Sequence, residues 1–172
     1  MRGAARIVLA SFLLSAGAAP GAFSAGIQRY LASLRLGDTL EQIQKIYPPK
    51  REWSRYREPG GEVVRIIMER GYAEWFPPKV DTIRLGMRRG RLIHVQLIYG
   101  KRESRRKPLQ EVVKDLSLVY GEPRRSGETY FWFDDSAVIA ASNVGVPSGR
   151  KQAKELRTSI ELMERGYFEP YR

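Results

Sequence analysis

The chain has 172 residues, and its 30 lysines and arginines exceed its 19 aspartates and glutamates, so its formal net charge is +11. It contains no cysteine, which excludes disulfides, thiolate metal sites and cysteine nucleophiles. A hydrophobic fraction of 42% is sufficient for an ordinary hydrophobic core.

Residues 1–24 have the pattern of a secretion signal. Arg2 and Arg6 precede an apolar run over residues 7–19, which is shorter than the ~20 residues that a membrane-spanning helix needs. Small residues then predict cleavage after Ser24, with cleavage after Ala18 as the alternative. We therefore expect an exported protein, periplasmic or secreted, that is not a lipoprotein because it has no cysteine. An uncleaved N-terminal anchor is the competing interpretation.

A helix is predicted after a lead-in over residues 25–36, whose pattern fits a short helix or a strand equally. Asp38 or Thr39 is a suitable N-cap, and Glu41 or Gln42 completes a capping box three residues later. The apolar positions recur on one helical face, and two prolines then end the helix. These apolar positions are Leu40, Ile43, Ile46 and Tyr47.

Three strands are predicted next, after a polar loop over residues 50–61. The β-branched stretch over residues 63–68 has the composition of a buried strand. Residues 82–87 and 91–99 read as a hairpin around a glycine-containing turn. In the last of these strands the odd-numbered apolar residues share one face, so His94 is predicted to point the other way and to be half-exposed.

The second half of the chain repeats this order. A basic linker over residues 101–107 precedes a helix that starts after Pro108 and ends at Gly121, a typical C-cap residue. Three strands are then predicted over residues 129–133, 137–141 and 156–162.

The fold class predicted from this order is α+β, with two αβββ units whose antiparallel sheet or sheets pack against two amphipathic helices. The first unit, with its lead-in, covers residues 25–106 and the second covers residues 107–172. Leu40 aligns with Val113 and Tyr47 with Tyr120, which is consistent with an internal duplication. The alternative is that any two amphipathic helices share this spacing.

Residues 36–49 resemble the start of the SmpA/OmlA (BamE-like) repeat, a module of small exported proteins, in the Gly-Asp-Thr helix opening and the apolar stripe. Residues 90–95 resemble the strand return of that pattern, and residues 120–123 resemble its helix stop. The chain departs from the pattern because it has no lipid-anchor cysteine. The resemblance implies an envelope protein that binds other proteins, with no catalytic residues.

Few residues are candidates for catalysis. His94 is the only histidine, and the carboxylate spacing that a zinc site around it would need is absent. No Gly-x-Ser-x-Gly elbow and no phosphate-cradling glycine motif is present. Asp134 and Asp135 stand between two predicted strands, where a turn is favoured over a cation-binding or catalytic role. We therefore expect a protein that is not an enzyme and has no cofactor and no metal site.

Clusters of basic residues form the strongest signal that the fold does not explain. If they met at one end of the sheet, they would attract anionic lipid or glycan; the alternative is a solvated basic surface. Nucleic acid is not expected, because an exported protein rarely meets it. The candidates are Arg88, Arg89, Arg91, Lys101, Arg102, Arg105, Arg106, Lys107, Arg124 and Arg125.

An aromatic loop over residues 72–78 supplies the candidates for binding a partner, namely Tyr72, Trp75 and Phe76, because such rings are enriched at protein interfaces. The function predicted first is a non-enzymatic envelope protein that acts as a protein-interaction or assembly module, with an envelope protein as its partner. The alternative is a peripheral binder of anionic lipid or glycan through the basic loops.

Overall fold

The computed structural model describes residues 26–147 and 154–168, and the predicted secretion signal lies outside them. In the described part the first half of the chain forms β1 (Tyr30–Leu31), β2 (Leu34–Arg35), α1 (Leu40–Ile46), β3 (Ser54–Arg57), β4 (Val63–Glu69), β5 (Val80–Arg88) and β6 (Arg91–Tyr99). The second half forms α2 (Lys101–Arg106), α3 (Leu109–Tyr120), β7 (Arg124–Ser126), β8 (Thr129–Phe133), β9 (Ala137–Pro147), β10 (Lys154–Glu164) and α4 (Arg165–Phe168).

Eight of these strands form one antiparallel sheet in the order β3-β4-β5-β6-β10-β9-β8-β7. Strands β6 and β10 pair at its centre, where Ile98 lies opposite Ser159 and His94 opposite Met163. Each half of the chain therefore contributes four neighbouring strands, and the two shortest strands of this sheet, β3 and β7, lie at its edges. The lead-in forms a separate hairpin of β1 and β2.

The predicted α+β class with two αβββ units is wrong, because the structure is mostly β. Each half has a fourth strand, at the edge of the sheet. The helices in the described ranges are short: α1 has 7 residues and, within those ranges, only α3, with 12, is longer. Strand β3 falls in the predicted polar loop, and all four of its residues are exposed. An edge strand that buries neither face has no apolar alternation, so its sequence resembles a loop.

Helices α1 and α3 cover one face of the sheet, here called the helix face. Ile43 of α1 is fully buried in a core cluster that includes Ile66 and Leu85. Val112 of α3 belongs to a second cluster, together with Trp132. Burying each such side chain contributes about 1.5–3 kcal/mol. The opposite face, here called the α4 face, has a third apolar cluster that includes residues of α4.

Several local predictions are confirmed. Thr39 caps α1: its Oγ1 accepts from the backbone N–H of Gln42 at 3.3 Å, while Gln42 Oε1 accepts from the backbone N–H of Thr39 at 2.8 Å. Gly121 ends α3 with a φ of 79°, a conformation that glycine adopts without strain. Within the described residues we find no helix with the length and apolar character that a membrane crossing requires.

Candidate functional site

The predicted aromatic loop divides into an anchored part and an exposed part. Tyr72 and Phe76 are partly buried against the core of the first half, and the Phe76 ring lies 6.3 Å from that of Tyr47. Trp75, between them, has 71% of its surface exposed. The structure therefore brings Trp75 alone to the surface and assigns Tyr72 and Phe76 mainly to packing.

Backbone hydrogen bonds hold this loop against the segment that follows α1. The N–H of Glu74 donates to the carbonyl of Pro48, and the N–H of Lys50 donates to the carbonyl of Tyr72, both at 2.9 Å. The indole N–H of Trp53 donates to the same Tyr72 carbonyl at 3.3 Å. Trp75 thus stands on a loop whose backbone is held by hydrogen bonds to the segment that follows α1.

A cleft of about 320 Å³ lies beside this loop, between α1 and the edge strand β3. Trp53, which is 2% exposed, is one of its lining residues. The basic pair at positions 50 and 51 is visible in the sequence as one of several basic clusters, but its position beside β3 depends on the fold. The cleft is lined by Gln44, Pro49, Lys50, Arg51, Glu52, Trp53 and Arg55.

The structure does not bring the ten basic candidates to one end of the sheet. Arg88, Arg89 and Arg91 surround the turn at the start of β6, whereas α2 begins at its other end, about 26 Å away at roughly 3.3 Å per residue. Arg124 and Arg125 lie on the edge strand β7, four strand spacings or about 19 Å from β6. These are three separate basic groups.

Most of these basic side chains already have partners. Arg91 donates to the carbonyl of Gly37 at 3.2 Å, and the guanidinium groups of Arg124 and Arg125 lie over aromatic rings. Four of the ten candidates form ion pairs with described residues, namely Arg88–Glu164 at 3.5 Å, Lys101–Glu155 at 3.1 Å, Arg106–Glu103 at 3.5 Å and Lys107–Asp115 at 2.5 Å. Arg89, Arg102 and Arg105 have no ion pair with a described residue, and all three are exposed.

A cavity of about 500 Å³ adjoins α2 and the start of α3, and Arg106 and Lys107 line it. Their charges are balanced there, because Arg106 pairs with Glu103 and Lys107 pairs with Asp115. The hydrogen bond to Asp115 raises the pKa of Lys107, because the carboxylate stabilises the charged form of the lysine. This cavity therefore offers little free positive charge to an anion.

A hydrogen-bonded chain of polar side chains crosses the α4 face, and sequence analysis missed it. Arg84 donates to Gln96 Oε1 at 3.4 Å, and Gln96 Nε2 donates to Glu161 Oε1 at 2.9 Å. Glu161 Oε2 then lies 2.9 Å from His94 Nε2, and His94 Nδ1 contacts the guanidinium of Arg65. The chain joins β4, β5, β6 and β10, so no local sequence pattern reveals it.

His94 is buried, with 4% of its surface exposed, so the prediction of a half-exposed side chain is wrong. Arg65 can only donate, so the arrangement that satisfies both ring nitrogens has the proton on Nε2, which donates to Glu161, while Nδ1 accepts from Arg65. Arg65 also donates to Tyr167 and Glu58. Both nitrogens of His94 are therefore occupied, and neither is free to bind a metal ion or accept a proton from a substrate.

The acidic pair between β8 and β9 forms a turn, as predicted. Asp134 accepts hydrogen bonds at 2.7 Å from the backbone N–H groups of Ser136, Ala137 and Ile27. Burial opposes ionisation of this carboxyl, but the hydrogen bonds outweigh it and hold its pKa below the usual value. Asp134 thus shapes the turn and fastens the lead-in to the sheet.

Nowhere in residues 26–147 or 154–168 do three histidine, aspartate or glutamate side chains converge as metal ligands would. The resemblance to the SmpA/OmlA repeat stays a prediction. No protein-family model, no curated protein and no solved structure matches this chain.

Proposed function

We propose that this protein is a non-enzymatic binding module of the bacterial envelope that holds a protein partner through Trp75. The observation that carries this proposal is the 71% exposure of Trp75 on a loop fixed by backbone hydrogen bonds on one side and by Phe76 on the other. Tryptophans in such positions frequently dominate binding energies, since the ring buries a large area. A fixed loop also loses little conformational freedom on binding.

The arrangement of the polar residues supports the non-enzymatic part of this proposal. The one histidine uses both ring nitrogens in hydrogen bonds within the fold. Asp134 uses its carboxylate to form a turn. These two candidates for a general base are thus engaged in structural contacts.

Site-specific photo-crosslinking in the bacterial envelope tests the proposal. The photoreactive residue p-benzoylphenylalanine replaces Trp75 in one variant and Leu118 in a control, because Leu118 is an 80% exposed apolar residue on α3. We expect a discrete protein adduct from position 75, which excess unmodified protein competes away, and none from position 118. Equal adducts at both positions, or no adduct at position 75, would contradict a partner site at Trp75.

A second candidate function is peripheral binding of anionic lipid or glycan. It is favoured by Arg89, Arg102 and Arg105, which are exposed and have no ion pair with any residue that the structure describes. Arg102 and Arg105 belong to α2, a helix with no buried residue. Vesicle binding over a range of salt concentrations tests this candidate.

A further inference from the structure

We infer that the cleft beside Trp75 binds an extended, acidic segment of the protein partner. This inference rests on the proposed function and specifies the chemistry of the partner. It follows from the charges around the cleft, from the free edge of β3 and from the position of both beside the Trp75 loop.

The charge around the cleft is positive and largely uncompensated. Lys50, Arg51 and Arg55 line it and are exposed, and none of them forms an ion pair with a described residue. Glu52 is the one acidic residue that lines the cleft. By contrast, Lys101 and Arg106 of α2 each have a carboxylate within 3.5 Å. Arg51 lies over the Tyr72 ring at 5.6 Å, so the cleft offers three cations that no carboxylate of a described residue neutralises.

The shape of the site favours an extended chain. Strand β3 pairs only with β4, so its outer edge has no neighbouring strand among the described residues. Arg55 lies opposite Ile66, whose side chain is buried on the helix face, so Arg55 projects on the same face as α1 and the cleft. A strand added at this edge would place every second side chain, about 7 Å apart, on the side of Arg55. Acidic residues at those positions would meet Arg55 and the neighbouring cations.

Trp75 provides an apolar contact for this segment beside the cleft. The carbonyl of Tyr72, three residues before Trp75, accepts from the backbone N–H of Lys50, a residue that lines the cleft, so the loop that carries the exposed ring lies beside the cleft. An acidic strand in the cleft would thus be flanked by an apolar residue packed on Trp75. Charge then gives orientation and rapid association, while the ring gives most of the affinity.

Fluorescence anisotropy with the full chain tests the inference. The probe is a fluorescein-labelled peptide of alternating glutamate and threonine, and the control peptide has glutamine in place of glutamate. Arg51→Gln with Arg55→Gln removes two cations from the cleft, while Arg102→Gln with Arg105→Gln removes the same charge from α2. We expect saturable binding of the acidic peptide that weakens at least tenfold in the cleft variant and less than twofold in the α2 variant.

Equal weakening in the two variants, equal binding of the glutamine peptide, or no saturable binding would overturn the inference. The inference would also be overturned if the protein binds phosphatidylglycerol vesicles through Arg51 and Arg55 but does not bind the acidic peptide. The crosslinking experiment separates this failure from that of the proposed function. An adduct at position 75 with no peptide binding rejects the acidic segment alone, whereas absence of the adduct rejects the partner site itself.

Discussion

Gly86 lies where Arg65 crosses β5 to reach His94. A Cβ atom at this glycine would be 3.1 Å from Arg65 Nη1 and 3.1 Å from His94 Cβ. We expect Gly86→Ala to displace the guanidinium, leave buried polar groups without partners and lower the free energy of unfolding by about 1–3 kcal/mol. Urea denaturation measures the loss, and the NMR signals of the ring nitrogens of the one histidine report the displacement directly.

Gly166→Ala in α4 is the matched control for this prediction. A Cβ atom there meets nothing within 4 Å, and alanine is favoured over glycine inside a helix by roughly 0.5–1 kcal/mol. The free energy of unfolding of the Gly166→Ala variant should be unchanged or slightly higher than that of the parent. If Gly86→Ala is as well tolerated and the histidine signals do not move, the close packing of Arg65 on this glycine is not important.

Asp134 should contribute a pH-dependent part of the stability. Because the hydrogen bonds lower its pKa in the folded state, its contribution is present above the unfolded value of about 3.9 and is lost as pH falls through the folded value. We expect Asp134→Asn to cost about 1–2 kcal/mol at pH 7, with the difference from the parent shrinking below about pH 4. The exposed Asp135→Asn should show neither effect, and equal behaviour of the two variants in urea denaturation would contradict this role.

At the scale of elements, Tyr47 joins α1 to the hairpin of β1 and β2. Its hydroxyl donates to the carbonyl of Ala32 at 2.5 Å, and burial raises its pKa to about 12. Ala32 and Ser33 both have positive φ values, 53° and 65°, so this contact supports a turn that their side chains disfavour. The hairpin therefore depends on a residue that lies beyond it in the chain.

Tyr47→Phe should reduce stability by about 1 kcal/mol at neutral pH, because the carbonyl of Ala32 loses its donor. The parent should lose further stability as pH rises from about 10, where the unfolded tyrosine ionises, towards about 12, where the folded one does. Tyr47→Phe lacks this loss of stability at high pH, so the difference in the free energy of unfolding between the parent and the variant narrows. Thermal unfolding between pH 7 and 11 measures it, with Tyr56→Phe, an exposed ring on β3, as control.

The sequence predicts best those elements that bury one face. The strand predicted over residues 63–68 and the helix that ends at Gly121 both match the structure closely, because apolar periodicity and capping residues act locally. Strands β3 and β7 were missed because all their residues are exposed. The basic linker forms α2, a helix with no buried residue, so it has no apolar stripe to reveal it.

At the scale of the whole molecule, the candidate site was only partly predictable. The aromatic loop was visible in the sequence, but which ring is exposed depends on the packing of Phe76 against Tyr47, two residues far apart in the chain. The network around His94 joins four strands, and the cleft joins a helix, a loop and an edge strand. Such sites arise from strand order, which apolar periodicity does not encode.

The spacing of the basic groups leads to a prediction about membranes. The group at the start of β6 lies about 26 Å along that strand from the start of α2 and about 19 Å across the sheet from β7, and both distances exceed the screening length of about 8 Å at physiological salt. They should therefore not act as one patch there. We expect protein lacking residues 1–24 to sediment with phosphatidylglycerol vesicles at about 10 mM salt, where the screening length is about 30 Å, but not at about 150 mM, where it is about 8 Å. It should not sediment with phosphatidylcholine vesicles at either salt concentration.

Charge reversal at Arg105 and Arg106 decides how to interpret that measurement. Arg106 is already paired with Glu103. If the attraction at low salt comes from the whole surface, reversal of these two charges should therefore weaken sedimentation only in part. Binding that persists at physiological salt and disappears in the reversed variant would show that α2 alone forms a membrane-binding surface. Peripheral binding would then replace partner binding as the leading function. Loss of all sedimentation with rising salt in the parent would contradict a membrane-binding surface on α2 and would leave partner binding as the leading function.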